Sequence, residues 1–319
     1  MRNSNNELES FFDSSLVHVE KKINDTIEDI TIKDILKGGK RLRSLLAHLA
    51  FKTCTKGKET PEQFERALEG TVSIELAHGA SLVHDDIIDK DVERRGKPAF
   101  HVKEGIGKAL LIGHRMLTKG FDIALSHGHE VAKLYVESWD EVVNGEIDEV
   151  EFNKSNGSTK NLSKEEIFES YNKIIDLKTA ALFSSACRAG VLEADMGGDI
   201  VKVFGDYGRE IGLAYQLADD LVDLVQGEII DSVVLPLLNQ IKGTKQKLGF
   251  FKKREIKRLF EKNKEEIKEF YVTEIKRHLN HAKELSNSDM IPKSEYKKLL
   301  SEAPDYIINR MLAEIKMTI

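Results

Sequence analysis

Apolar residues recur along this chain at three- and four-residue steps. Between 62 and 89, Phe64, Ala67, Leu68, Val72, Ile74, Leu76, Ala77, Leu82, Val83, Ile87 and Ile88 form a wide stripe, the mark of a helix buried on more than one side. Stretches 43–54, 106–127, 129–149, 164–191 and 200–226 repeat the pattern. Strict alternation never lasts more than a few residues, so no strands are expected. Turns are placed at Gly38-Gly39, Lys56-Gly57-Lys58, Gly96-Lys97-Pro98, the polar stretch 153–161 and Gly197-Gly198. Ser163, with Glu166 three residues on, predicts a capped helix start. With no linker or internal repeat, the chain reads as one all-α domain over 1–319.

Composition sharpens this picture. Hydrophobic residues are 40% and charged residues 32%, enough for a buried core and too many charges for a membrane bundle. No uncharged apolar run reaches the ~18 residues of a spanning helix. The start lacks the basic-then-apolar layout of a signal peptide. Only Cys54 and Cys187 are present, which excludes a disulfide framework and points to a reducing cytoplasm. A net charge of −6 argues against a nucleic-acid partner. The charged part 242–319 interleaves lysines with glutamates over 242–287, the composition of a solvated helix face rather than of an anion-binding patch.

The chemistry gathers in two carboxylate clusters, His84-Asp85-Asp86-Ile87-Ile88-Asp89 and Asp219-Asp220-Leu221-Val222-Asp223. Each places aspartates at i, i+1 and i+4, so the outer two share a helix face about 5.4 Å apart along the axis. A lone motif of this kind is usually a solvated surface. Two copies, each in an apolar helix, instead point to hard cations with oxygen ligands. Mg²⁺ fits best, because it takes one or two carboxylates and shares substrate phosphates. A di-iron helix bundle would need two Glu-x-x-His motifs, and only Glu75–His78 has that spacing. Gly38-Gly39-Lys40-Arg41-Leu42-Arg43 opens a helix, Arg94-Arg95-Gly96-Lys97 follows the first cluster, and Lys178-Thr179 sits in a small apolar helix. Cations beside metal-binding acids suggest a polyphosphate ligand.

Together with His78-Gly-Ala-Ser-Leu-Val-His-Asp-Asp-Ile-Ile-Asp89 and Gly212-Leu-Ala-Tyr-Gln-Leu-Ala-Asp-Asp-Leu-Val-Asp223, these motifs resemble the trans-isoprenyl diphosphate synthases of the polyprenyl synthetase family. They occur in the family's order, within a motif-bearing part of about 38–240. The resemblance implies antiparallel helices around a deep central cavity, a homodimer, and Mg-dependent head-to-tail condensation of isopentenyl diphosphate with dimethylallyl, geranyl or farnesyl diphosphate. Three Mg²⁺ ions are implied with substrate bound, and Mn²⁺ as a substitute. Asp85, Asp89 and Asp219 are the implied leading metal ligands, with Asp86, Asp220 and Asp223 behind them. Lys40, Arg43, His78 and Arg95 would hold isopentenyl diphosphate and Arg94 the allylic diphosphate, while Lys178, Thr179 and Gln216 would flank the reacting carbons. Ala77, Ala80 and Ser81 would leave the upper tunnel wall open. The floor would come from around 109–125, with Leu111, Ile112, Met116 and Phe121 as candidates, favouring a C20 product or longer.

Three departures from the family pattern stand out: a lysine-free run over 224–236, His114 after Gly113, and Glu146 after Gly145. A regulatory subunit of a heteromeric synthase would usually lack one aspartate cluster. A class I terpene cyclase would replace the second cluster and have no need of Lys40, Arg43 and His78.

Overall fold

The computed structural model describes residues 4–155, 163–226 and 261–319. The helices are α1 (Ser4–Thr26), α2 (Ile30–Leu36), α3 (Leu42–Thr55), α4 (Pro61–Ile88), α5 (Phe100–Glu104), α6 (Ile106–Ser126), α7 (His129–Ser155), α8 (Lys164–Ile175), α9 (Ala181–Glu193), α10 (Asp199–Gln226), α11 (Lys264–Ser286) and α12 (Glu295–Leu312). The all-α class holds. Each stretch with a helical period is helical, and side-chain caps fix where α4 and α8 begin. The Thr60 side chain accepts from Gln63 N while Gln63 reciprocates, with Pro61 at the first helical position of α4. Ser163 and Glu166 form the same box at α8, as their spacing predicts.

Two local features depart from the periodicity. Two-residue strands β1 (Glu93–Arg94) and β2 (Lys97–Pro98) pair antiparallel. Arg95 and Gly96 between them both take positive φ, 54° and 73°, the turn geometry that suits a tight hairpin. The stretch 164–191 is also not one continuous α-helix: residues Asp176–Ala180 form a π-helical turn between α8 and α9. Such widened turns have no Gly or Pro signature and occur often at functional sites.

The chain forms two compact units. The first comprises Met1–Trp139, Ser185–Gly205 and Ser288–Leu300; the second comprises Asp140–Ser184, Asp206–Asn287 and Ser301–Ile319. The first unit has an apolar cluster of Val19, Ile23, Ile27, Ile32, Leu36, Leu68, Val72, Leu76, Ala80, Ile112 and Met116, contributed by α1, α2, α4 and α6 and by the link between α1 and α2. In the second unit Tyr171, Phe183, Leu217, Leu221, Tyr271 and Ile275 are among the buried side chains of α8–α11. No helix among the described residues is long and apolar enough to cross a membrane. The run 227–236, Lys242 and Lys245 lie outside the described residues.

Candidate active site

In the first unit the chemistry collects at the C-terminal end of α4. Asp85 and Asp86 occupy its last turn and Asp89 is its C-cap, so the first cluster ends the helix rather than lying within it. Asp85 is half-buried and Asp89 exposed, whereas Asp86 is buried. The β1–β2 hairpin folds Arg94 back so that its Nε donates to Asp86 Oδ1 at 2.7 Å, and its Nη2 also reaches Asp91 at 3.3 Å. Burial pushes the Asp86 carboxyl up, and the Arg94 guanidinium only partly offsets that. Arg94, expected on a substrate diphosphate, is here an ion-pair partner of Asp86.

Two turns before Asp85, half-buried His78 lies within the fields of Arg43, Arg95, Arg41 and Arg94. Burial first, and then those four guanidinium groups, push its imidazole well below the ordinary value. The ring is therefore neutral at pH 7. Arg43 Nη1 lies 3.1 Å from His78 Nε2, and since arginine can only donate, Nε2 accepts and Nδ1 carries the proton. Nδ1 is buried and has no hydrogen-bond partner among the described residues. A buried donor amid guanidinium charge fits an anion. Lys40 is exposed just before α3, and Arg95 donates to the Lys37 carbonyl at 3.0 Å.

Arg41, within the same basic motif, serves the fold instead. It takes φ 55° as N-cap of α3 and is buried, and its guanidinium pairs with Glu20 at 2.8 Å and Glu75 at 2.9 Å. Ser44 Oγ donates to the other Glu75 oxygen at 2.6 Å.

The small residues expected on the tunnel wall are all buried: Ala77, Ala80 and Ser81. Ala80 lies in one apolar cluster with Ile112 and Met116. Leu111, another floor candidate, is 70% exposed and drops out. Phe121 is half-buried against Tyr135.

In the second unit, α10 carries Asp219 and Asp223, both half-buried, and the buried Asp220. Asp220 accepts from the Tyr171 hydroxyl and, at 3.0 Å, from Gln216 Nε2. Gln216 Oε1 in turn accepts from Thr179 Oγ1 at 2.8 Å. That fixes the Thr179 proton and leaves the hydroxyl lone pairs for an electron-poor partner. Lys178 precedes Thr179 on the π turn, and its ammonium pairs with Glu146 at 2.9 Å and with Glu149.

Two close approaches seat this turn. A Cβ on Gly145 would come within 2.8 Å of Lys178 N, and one on Gly212 within 2.6 Å of Ala180 Cα. Only glycine lets α7 and α10 lie this near the turn. At the turn's start, Asp176 accepts from Arg209 at 2.6 Å, and Arg209 also pairs with Glu141.

Among the described residues, no group of three or more His, Cys, Asp or Glu is gathered to hold a metal by protein ligands alone. Hard carboxylates in ones and twos suit Mg²⁺, which completes its octahedron with water and phosphate, better than an ion needing an all-protein cage. Glu149, Tyr171, Asp176 and Arg209 were not foreseen as site residues. Their partners lie 29 to 68 positions away in the chain, so local spacing carries no signal for them.

The family model for polyprenyl synthetase matches residues 24–231. A short chain isoprenyl diphosphate synthase of Methanothermobacter thermautotrophicus is 31% identical over 261 residues, 78% of this chain and 75% of the relative. A geranylgeranyl diphosphate synthase of Methanosarcina mazei is 28% identical over 66% of this chain and 65% of its own length, so the match spans just under two thirds of that relative. The crystal structure of a geranylgeranyl pyrophosphate synthetase from Pyrococcus horikoshii superposes with a TM-score of 0.76 at 24% identity, covering 96% of this chain and 99% of that one, a likeness of fold. The motifs, the helical architecture and these matches together place the chain in the polyprenyl synthetase family.

Proposed function

We propose that the chain is a trans-prenyltransferase that condenses isopentenyl diphosphate head-to-tail with an allylic diphosphate, releasing an all-trans prenyl diphosphate of C20 or longer. The observation that carries this reading is neutral His78, with a buried Nδ1–H, Arg43 at 3.1 Å from its Nε2 and the fields of Arg94 and Arg95 upon it, two turns from Asp85 on the same helix. That is an anion pocket next to carboxylates. A polyanion that also binds metal would be drawn to both.

Arg43, Lys40, Arg95 and the His78 Nδ1–H bind the isopentenyl diphosphate, while Arg94 moves from Asp86 to the allylic diphosphate. Asp85 and Asp89, and in the second unit Asp219 with Asp223, are the carboxylates that would hold Mg²⁺, with Asp86 and Asp220 as their supports. Mg²⁺, when bound, supplies positive charge to the departing diphosphate. The allylic C1–O bond breaks, and the diphosphate leaves with the electron pair. The alkene of isopentenyl diphosphate attacks C1, and the proton lost from the new chain goes to the departing diphosphate. The Lys178 carbonyl, the Thr179 hydroxyl lone pairs and the Gln216 amide oxygen face the electron-poor carbon. Apolar walls exclude the water that would capture it. Ala77, Ala80 and Ser81 leave room for the growing chain, and Ile112 with Met116 limits it.

Cys54 and Cys187 are buried free thiols, and burial pushes the first up to about 12, as suits a protein working in a reducing cytoplasm. The working assembly is a homodimer. Purified chain supplied with Mg²⁺ and each allylic diphosphate should consume isopentenyl diphosphate, stop in chelator, recover in part with Mn²⁺, and give products of twenty carbons or more by chromatography. Failure to consume isopentenyl diphosphate with any primer would overturn this reading.

A further inference from the structure

Glu75 is a buried carboxylate that takes no part in the proposed reaction. It lies on α4 three positions before His78, and both of its oxygens are spent on the start of α3. Oε2 accepts from Arg41 Nη1 at 2.9 Å, and Oε1 from Ser44 Oγ at 2.6 Å. Arg41 is the N-cap of α3 at φ 55° and ψ 21°, the left-handed region that suits glycine and costs other residues. Its side chain does not cap the helix. What holds the turn is the guanidinium, clamped between Glu75 and, at 2.8 Å from Nε, Glu20. A charge-assisted pair buried on both sides is a stiff tie, because either partner alone would be an uncompensated charge.

That turn carries the side chains of the anion pocket. Lys40 precedes Arg41, and Arg43 follows it by two and reaches His78 Nε2 at 3.1 Å. Gly39 lies between two guanidinium groups: a Cβ there would come within 2.8 Å of Arg41 Nη1 and 3.5 Å of Arg95 Nη2. The start of α3 therefore meets α4 twice within one helical turn, at Glu75 through a fixed ion pair and at His78 beside the buried Nδ1–H. We propose that Glu75 is a positioning residue for isopentenyl diphosphate: by clamping Arg41 it holds the left-handed turn that sets Lys40 and Arg43 beside His78. The proposal rests on the prenyltransferase reading for the identity of the ligand, and all of its groups lie in the first unit.

Glu75→Gln keeps the size of the side chain and an acceptor for Ser44 but loses the charge on Arg41. It should raise KM for isopentenyl diphosphate roughly tenfold, the loss of about one charge-assisted hydrogen bond, with KM for geranyl diphosphate unchanged. Removing a buried counter-ion also weakens the fold, so a second variant carries the distinction. Glycine takes φ 55° without a clamp, so adding Arg41→Gly to Glu75→Gln should return KM for isopentenyl diphosphate to within about threefold of wild type. A merely structural role for Glu75 predicts the reverse, because a second buried contact is then lost. Calorimetric titration with isopentenyl diphosphate, and with inorganic pyrophosphate, reads the pocket without turnover. The expected order from tightest to weakest is wild type, double variant, Glu75→Gln. Unchanged binding in Glu75→Gln, equal KM shifts for both substrates, or a double variant weaker than the single one would each overturn the proposal. Should Glu75→Gln alone not fold, a double variant that folds and binds within about threefold of wild type supports it, and one that folds without binding overturns it. A wild-type chain that binds pyrophosphate in this order but consumes no isopentenyl diphosphate would instead sink the reaction assignment and leave the role of Glu75 standing.

Discussion

At Asp86 and Asp220, the middle acids of the two clusters, the protein uses the carboxylate for itself: Arg94 holds the first, and Tyr171 with Gln216 the second. Both are buried, while their i−1 and i+3 neighbours are half-buried or exposed. The three acids of each motif therefore divide into a buried inner brace and two outer acids, the proposed metal ligands. Asp85→Ala should cut turnover at least roughly a hundredfold, the scale of losing a metal-site contact, with the melting temperature unchanged. Asp86→Asn should instead destabilise by about 1–3 kcal/mol, because Arg94 loses a charged partner. Steady-state kinetics beside thermal melts separate the two, and equal losses of turnover with unaltered melting would refute the division. The family resemblance ranked Asp86, Asp220 and Asp223 behind Asp85, Asp89 and Asp219, so it set the two middle acids apart but not Asp223. The middle acids' partners Arg94 and Tyr171 arrive by a hairpin and from a different helix, which spacing along α4 or α10 does not encode.

Among the elements, the helices over 43–54, 62–89, 106–127, 129–149 and 200–226 were legible in the apolar stripe, and the start of α8 in the Ser163 box. Those signals act within a few residues of each other, whereas α1, α2, α5 and α12 were not among the stretches read. The π turn was not legible. What stabilises it is tertiary: Arg209 on Asp176, Glu146 and Glu149 on Lys178, and Gln216 on Thr179. The end of α6 shows another long-range tie. His127 caps it and lies 2.8 Å from Glu193 on α9 and 3.5 Å from Glu69 on α4. Burial alone would depress the His127 pKa, but the two carboxylates outweigh it and raise it above 6.5. A raised folded value means the contribution is complete below pH 6.5 and lost as pH climbs through the raised value. Wild type should therefore lose melting temperature relative to His127→Gln, which lacks the titration, as pH rises above about 6.5. Parallel pH profiles for the two proteins would show that this tie does not act. On the α4–α6 contact, Ala80→Phe should shift product toward C15, since the ring enters the cluster where Ile112 and Met116 lie. Overpacking should cost about 1–3 kcal/mol, read as a lower melting temperature. Unchanged product length would place the tunnel wall elsewhere.

For the whole molecule, composition excluded a disulfide scaffold and a basic nucleic-acid binder, and both cysteines are indeed buried free thiols. Composition is blind to which apolar residues stay outside. In the single chain Val136, Val143 and Ile147 are exposed at i, i+7 and i+11, one face of α7, and Ile106, Leu110 and Leu111 are exposed at the start of α6. Scattered exposed side chains need no explanation, but a face repeating over three turns of one helix is the pattern of a surface that a partner covers. A second copy of the chain is the partner that the homodimer proposal requires, and a two-fold interface uses the same face from each subunit. Light scattering should then give about twice the 36.0 kDa of one chain. Leu111→Glu or Ile147→Glu would place a charge in a covered apolar face, where it cannot be buried without a partner. Each variant should dissociate toward 36.0 kDa while keeping its helical circular dichroism. A wild-type chain that remains at 36.0 kDa at micromolar concentration, or variants that stay dimeric, would remove these faces from the interface.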